Sequence, residues 1–128
     1  MGRFGNPMKF YLAGPMRGIP DNNRNSFIEA AERLRRIGHE VFSPAEASQA
    51  DATDETFTQM MGELIPELLK CEAVVVLPAW GRSEGAKLEV LVALSTGKPV
   101  YAYHQHRPEV LEHLPNAKVT TRAEVING

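Results

Sequence analysis

The sequence predicts an α/β protein in which helices cover both faces of a parallel β-sheet. Strand-like and helix-like segments alternate along the 128 residues, which is typical of this three-layer architecture. The segment "EAVVVLP" (72–78) is an uninterrupted apolar run, as expected of a central strand that is covered on both faces. A chain of this length is expected to form one domain, residues 1–128, with a core that needs no disulfide or metal.

The first half of the chain predicts two strands and one helix. "MKFYLAG" (8–14) reads as the first strand, and the following "GPMRGIPDNN" as a loop, because its two Gly and two Pro disfavour regular structure. Apolar residues recur at helical spacing from Arg24 to Ile37, and Gly38 supplies a stop. "HEVFSP" (39–44) predicts a short second strand.

A polar stretch and a second helix follow. The segment "AEASQADATDE" (45–55) is predicted to be a loop. Asp54 is the predicted N-cap of a helix that runs to about Lys70, with a kink at Pro66.

The second half continues the alternation after the 72–78 strand. A helix is predicted from Ser83 to Thr96, closed by Gly97, and "KPVYAYH" (98–104) is a fourth strand. A short helix is predicted at 108–113. Right-handed crossovers place the first strand at the centre, between the second and third strands.

This topology predicts the position of a ligand site. In such sheets the crevice opens at the carboxyl ends of the two strands where the winding direction reverses. These ends carry "GPMRG" (14–18) and "PAWGRSEG" (78–85). The two loops are therefore expected to face each other across one cleft.

Glu89 is an unexpected carboxylate on a helix of mostly apolar and small residues. Its neighbours one turn away on the same face include Gly85, Ala86 and Ala93. A buried carboxylate is costly unless its surroundings accommodate it, and such small neighbours leave space for a ligand. The alternative is a solvated residue at the helix edge.

Ser83 and Arg17 are candidate anion ligands. Ser83 stands at a helix N-terminus, where unpaired N–H groups and the helix dipole favour phosphate; the alternative is that it only caps the helix. Arg17 lies between Gly14 and Gly18 in the first loop, and its guanidinium suits phosphate or carboxylate. Neither a G-x-G-x-x-G fingerprint nor a P-loop occurs.

Composition excludes several other function classes. The net charge of −2 lacks the positive excess that is typical of proteins that bind nucleic acid or an anionic membrane. One cysteine, Cys71, cannot form an internal disulfide and suits a reducing cytoplasm. Four scattered histidines lack metal-ligand spacing, so neither metal nor other cofactor is expected. The segment before Lys9 is too short and polar for a signal peptide, and a soluble cytoplasmic protein is expected.

Three motifs resemble the nucleoside 2-deoxyribosyltransferase superfamily: "YLAGPMRG", "CEAVVVLPAW" and "SEGAKLE" followed by "GKP". The likeness is greatest to its small phage- and bacteria-associated members of unassigned function. The S-x-G-x-x-x-E spacing is similar to that of 2'-deoxynucleoside 5'-monophosphate N-glycosidases. The resemblance implies a flavodoxin- or Rossmann-like three-layer sandwich with a four- to five-stranded parallel sheet, and attack on an N-glycosidic bond.

The resemblance also implies roles for individual residues. Glu89 takes the nucleophile position, and Ser83 and Gly85 the 5'-phosphate position. The loop around sugar and phosphate corresponds to Gly14, Met16, Arg17 and Gly18.

The superfamily also uses a second acid near the end of the helix that precedes the third strand. Glu63, Glu67 and Glu72 are the candidates here, and Glu63 is preferred. Trp80 is a candidate for stacking on a base at the cleft mouth, the alternative being an aromatic side chain that caps the core.

Three functions remain open from the sequence. The first is hydrolysis of a nucleoside 5'-monophosphate to free base and sugar phosphate. The second is base exchange between deoxyribonucleosides; a ribosyl-monophosphate hydrolase of the cytokinin-activating type is less favoured, because its doubled-glycine loop is absent. The third is a nucleotide-binding module without turnover.

The helices predict self-association. The 83–96 helix is apolar almost all round, and the 54–70 helix has apolar residues on more than one face. Pairing of two copies across a two-fold axis would cover the additional apolar faces of both helices. The resemblance also implies a homodimer or homotetramer. The alternative is a monomer whose 43–54 loop and C-terminal tail cover these helices.

Overall fold

A computed structural model of the chain describes residues 7–47, 53, 55–107, 110–115 and 117–119. Its strands are β1 (Lys9–Ala13), β2 (Glu40–Phe42), β3 (Ala73–Val76), β4 (Val100–Ala102) and β5 (Glu112–His113). Its α-helices are α1 (Arg24–Ile37), α2 (Pro44–Ala47), α3 (Phe57–Leu69) and α4 (Glu84–Ser95). Short 3-10 turns at Pro20–Asn23 and Trp80–Arg82 follow β1 and β3.

The five strands form one sheet in the order β2-β1-β3-β4-β5. Strands β1 to β4 run parallel, and β1 lies between β2 and β3 as the crossover rule predicts. The predicted α/β flavodoxin-like fold is confirmed. One detail differs, because β5 pairs antiparallel with β4 and the sheet is therefore not wholly parallel.

The prediction of a helix at 108–113 is wrong for its last two residues. Glu112 and His113 form β5, paired with Ala102 and Tyr101 of β4, while 108 and 109 lie outside the described residues. The amide of Leu114 also donates to the carbonyl of Val100, with N and O 2.8 Å apart. Pairing satisfies backbone groups along β4 that would otherwise lack partners, and this outweighs a weak local helical pattern.

Apolar side chains of the sheet pack into two layers. Alternate residues of β1 and β3 point to opposite faces, as the two-residue period of a strand requires. One layer packs against α1 and the other against α3 and α4. The first includes Phe10, Leu12, Val75, Phe27 and Leu34, and the second includes Tyr11, Val74, Val76, Leu64 and Val90.

The helix ends follow the sequence signals with small shifts. Gly38 ends α1 with a φ of 117°, a conformation that glycine adopts without a steric penalty. Ser83 caps α4, and Gly97 follows its C-terminus. Helix α3 begins at Phe57 and is continuous through Pro66, while the predicted cap Asp54 lies outside the described residues.

The predicted 45–55 loop is partly helical. Residues Pro44–Ala47 form α2, and Ala45 is buried against the α1 side of the sheet. Proline at the first helical position and a buried alanine favour this turn, which the polar composition of the stretch concealed. Among the described helices, none has the length and apolar character needed to cross a membrane.

Candidate functional site

A cleft opens at the carboxyl end of β1, beside the N-terminus of α4. Gly14, Met16 and Arg17 line it from the loop after β1, and Ser83, Gly85 and Glu89 line it from α4 and its cap. Apolar side chains of α3 close the remaining side, among them Phe57, Met60, Met61 and Leu64. The space in the cleft is about 440 Å³ when the open solvent at its mouth is included.

Three predicted site residues do not line this cleft. Gly18 lies farther along the loop with a φ of 81°. Trp80 is in the 3-10 turn after β3, where it packs against the apolar layer that contains α3 and α4. Glu63 lines a neighbouring groove together with Glu67, and that groove shares Met60 and Leu64 with the cleft.

Glu72 lies at the opposite end of the strands from the cleft. Its Oε1 accepts a hydrogen bond from the backbone amide of Lys9, at 2.9 Å, where β1 begins. In a parallel sheet all strands begin at one end of the sheet and finish at the opposite end. Glu72 therefore caps the start of β1, away from the cleft.

Glu89 is buried in the floor of the cleft and retains only 4% of its exposure. Its Oε2 accepts a short hydrogen bond from the hydroxyl of Tyr11. Loss of water around the carboxylate raises the pKa of Glu89 to about 8, although the Tyr11 hydrogen bond acts in the opposite direction. Near neutral pH this carboxyl group is therefore mainly protonated in the absence of ligand.

Tyr11 is the site residue that the sequence interpretation missed. It is fully buried on β1, and its ring stacks on Phe42 with centroids 5.5 Å apart. Burial and the nearby Glu89 carboxylate raise the pKa of Tyr11 well above its usual value, so its hydroxyl remains a donor. The available signal was a tyrosine within a buried strand, because such a hydroxyl requires a polar partner.

Replacing Tyr11 with Phe is expected to raise the pKa of Glu89 further. The hydroxyl stabilises the charged carboxylate, and its loss leaves desolvation unopposed. We expect an upward change of about one unit, the effect of one hydrogen bond to a charged group. Carboxyl-carbon NMR titration of the two proteins measures this change. An unchanged or lower pKa in Tyr11→Phe would contradict the hydrogen bond.

Ser83 caps α4 through its side chain. Its Oγ accepts a hydrogen bond from the amide of Ala86, with the two atoms 3.1 Å apart. The capping interpretation is therefore correct for the structure without ligand. The hydroxyl proton remains available as a donor, and the first turn of α4 directs its dipole toward the same cleft.

Two glycines keep the walls of the cleft close together. A Cβ at Gly14 would lie 3.0 Å from Cβ of Leu77, so glycine permits the ends of β1 and β3 to approach. A Cβ at Gly85 would lie 3.4 Å from Cε of Met61. Because this is an ordinary contact distance, glycine at position 85 leaves space in the cleft that a longer side chain would fill.

Arg17 is held at the cleft by an aromatic contact. Its Cζ lies 4.8 Å from the ring centroid of Phe57 at the start of α3, which is within the range of cation–π attraction. This contact joins the loop after β1 to the opposite wall. The cleft thus combines a buried carboxylate, a helix N-terminus and a guanidinium.

These groups define the chemistry that is available. A carboxylate stabilises or captures a developing carbocation, whereas a helix N-terminus and an arginine bind an anion. Within the described part of the chain, no three His, Cys, Asp or Glu side chains cluster as metal ligands would.

The fold defines an α/β protein of the flavodoxin-like class, with a cleft at the switch point of its sheet. The chain belongs to the family described as "Domain of unknown function (DUF4406)", whose sequence pattern matches residues 8–102. A comparison with curated protein sequences finds no match.

Solved structures that are similar to this chain include the following two. A 2-deoxyribosyltransferase from Bacillus psychrosaccharolyticus is 20% identical with a TM-score of 0.58, covering 91% of this chain and 79% of its own. A conserved protein from Enterococcus faecalis V583 is 25% identical with a TM-score of 0.56, and the match covers 80% of this chain and 67% of that protein. The resemblance to the nucleoside 2-deoxyribosyltransferase superfamily that the motifs predict is confirmed at the level of the fold.

Proposed function

We propose that this protein hydrolyses the N-glycosidic bond of a nucleoside or deoxynucleoside 5'-monophosphate, with Glu89 as the nucleophile. The observation that carries the proposal is the buried Glu89 carboxyl group on the cleft, held by Tyr11. A carboxylate fixed in this way suits capture of the oxocarbenium-like centre that glycosidic cleavage produces. The products are free base and sugar phosphate.

The reaction proceeds in two displacements. Glu89 loses its proton to solvent, and a carboxylate oxygen bonds to the anomeric carbon while the carbon–nitrogen bond breaks. The bonding pair leaves with the base nitrogen, which takes up a proton from a second acid. Water then attacks the anomeric carbon and gives a proton to the conjugate base of that acid, while the bond from the anomeric carbon to Glu89 breaks and its electron pair restores the carboxylate. Tyr11 orients Glu89 throughout by its hydrogen bond.

A second acid would protonate the departing base. We retain Glu63 in this role as a proposal, because its groove adjoins the cleft through Met60 and Leu64. Gly18 is proposed to contribute to substrate binding through the turn that it forms in the loop after β1. Trp80 is proposed to contribute through its ring, which would stack on the base.

The 5'-phosphate is proposed to bind between Arg17 and the N-terminus of α4. Replacing Arg17 with Ala is expected to lower kcat/KM for a nucleoside monophosphate about 10- to 100-fold, the effect of one charge-assisted hydrogen bond. The matching nucleoside lacks the phosphate and is expected to change little. Steady-state rates of base release measure both, with Arg36→Ala on the exposed end of α1 as the control.

Ser83 permits a sharper version of this experiment. Asp is as good an N-cap as Ser, so Ser83→Asp preserves α4 while adding a negative charge where the phosphate should bind. Ser83→Asp is therefore expected to impair the monophosphate more than Ser83→Ala does. Equal losses for nucleotide and nucleoside would instead favour base exchange.

Base exchange between deoxyribonucleosides is the second candidate. The similar structure from Bacillus psychrosaccharolyticus is a 2-deoxyribosyltransferase, and the same glycosyl-enzyme intermediate could react with a second base instead of water. Incubation with a panel of nucleosides and nucleotides, with and without an added free base, separates the two reactions by chromatography. Binding without release of any base would indicate the third candidate, a nucleotide-binding module.

We also propose that the protein works as a homodimer or homotetramer. Leu91 on α4 and Leu69 at the end of α3 remain 39% and 47% exposed, and pairing of these helices would remove them from water. Light scattering with size-exclusion chromatography is expected to give a mass of at least twice 14.2 kDa. A mass equal to that of one chain at micromolar concentration would contradict self-association.

A further inference from the structure

A second cleft lies on the α1 side of the sheet, across the loop from the Glu89 cleft. Pro15 and Ile19 of the loop, Glu29 of α1, Leu77 after β3 and Tyr103 after β4 all line it. The space in this cleft is about 660 Å³ when the open solvent at its mouth is included. Among the described residues, the two clefts have no lining residue in common.

The hydroxyl of Tyr103 is a buried polar group that forms no hydrogen bond of normal geometry within the described part of the chain. Tyr103 is only 5% exposed, and its hydroxyl forms no hydrogen bond of normal geometry with the described residues, although the Arg33 side chain lies close enough to oppose the rise in its pKa. The nearby guanidinium of Arg33 is engaged elsewhere. Its Nη1 donates to the carbonyl of Gln105 at 2.6 Å, and its Nη2 lies 3.1 Å from Oε1 of Glu29.

An unpaired buried hydroxyl destabilises a folded protein, and native structures rarely retain one without a reason. A ligand in the second cleft would supply the missing partner. Burial raises the pKa of Tyr103, so the hydroxyl is neutral and offers its proton to an acceptor atom.

The remaining lining residues restrict the chemistry of that ligand. Glu29 carries the one formal charge among the described residues that line this cleft, and it is negative. Arg33 pairs with Glu29 but does not line the cleft, so a phosphate group would find no lysine or arginine among the described lining residues. Leu77, Pro78 and Ile19 supply apolar surface instead, which suits the faces of a flat, uncharged ring.

We propose that the second cleft binds a free nucleobase. A carbonyl or ring nitrogen of the base accepts the Tyr103 hydrogen bond, and an N–H group donates to Glu29. The choice of a nucleobase among N–H-bearing heterocycles rests on the proposed function, which releases one. A base bound here contacts Pro15 and Ile19, which flank the Met16 and Arg17 that line the reaction cleft.

Titration of the ¹⁵N-labelled full chain with adenine, hypoxanthine, cytosine and uracil tests this site by NMR. At least one base is expected to perturb the amides of Ile19, Glu29 and Tyr103 more than those of Met61 and Gly85. Titration of the Glu89→Gln variant, which cannot release the base, with the corresponding nucleoside 5'-monophosphate is expected to perturb the Glu89 cleft and to leave the second cleft unaffected.

Tyr103→Phe and Glu29→Gln are the informative variants. Each is expected to weaken base binding about tenfold, since each removes one hydrogen-bonding group. Tyr103→Phe is also expected to unfold at the same temperature as the wild type or higher, because the deleted hydroxyl has no partner. A lower unfolding temperature would indicate that the hydroxyl is paired within the protein, and would overturn the proposal.

Other results separate this proposal from the proposed function. Base binding in the second cleft without turnover of any nucleotide would support the site and refute the function. Turnover without perturbation of the second cleft at millimolar base would refute the site alone. Perturbation confined to the Glu89 cleft, or equally tight binding of a monophosphate in the second cleft, would also refute it.

Discussion

Replacing Glu89 with Gln is expected to lower the rate of base release by about 10³-fold or more, the scale of effect seen when a catalytic nucleophile is removed. Gln has nearly the same shape as Glu and can still accept a hydrogen bond from Tyr11. The amide cannot form the glycosyl ester, so the first displacement fails while the cleft persists. Chromatographic assay of free base under single-turnover conditions measures the loss.

Two comparisons make this result specific. Glu32→Gln changes an exposed carboxylate of α1 in the same way and is expected to retain the wild-type rate. Binding of a nucleotide to Glu89→Gln should persist, because the proposed phosphate ligands are unchanged. Retention of most of the activity in Glu89→Gln would refute the proposed mechanism.

The stability of the wild-type protein is expected to depend on pH through Glu89. Its pKa is about 8 in the folded state and close to 4.5 in the unfolded chain. Between these values the folded state holds a proton that the unfolded state has lost, so rising pH favours unfolding. The stabilising contribution is complete below about pH 4.5 and is lost as pH approaches 8, by roughly 4 kcal/mol for a shift of this size.

Glu89→Gln provides the matched reference for this effect. Its amide does not titrate, so the stability of the variant relative to the wild type should rise as the pH increases from 4.5 toward 8. Contributions of other groups, such as Glu46, whose pKa is lowered by its hydrogen bond with Arg35, cancel in the difference. Urea unfolding at a series of pH values measures that difference. Parallel stability curves for the two proteins would show that Glu89 is not buried as a neutral acid.

Much of the fold was predictable because its signals are local. Helical spacing from Arg24 to Ile37, the stop at Gly38 and the apolar run of β3 each lie within one segment of the chain. The handedness of crossovers then orders β2, β1 and β3 with no further information. The same rule brings Arg17 and Ser83 to one cleft.

Several features were not predictable, because they depend on residues far apart in sequence. Tyr11 and Glu89 are separated by 78 positions, and neither segment alone shows that the two side chains meet. The direction of β5 depends on which backbone groups β4 leaves unpaired. Glu63 and Glu72 look equivalent as acids in the sequence, yet one lies beside the cleft and the other caps the start of β1.

The sequence by itself determined the order of the helices and strands, the centre of the sheet and the loops that border the cleft, since periodicity, glycine stops and chain chirality act over short distances. Only the tertiary structure decided the environment of each polar side chain. Burial raises the pKa of Glu89, against the opposing effect of its hydrogen bond with Tyr11, and it leaves the hydroxyl of Tyr103 without a hydrogen bond to the described residues. Both are properties of packed neighbours rather than of any single segment, because desolvation depends on every group that excludes water from a site.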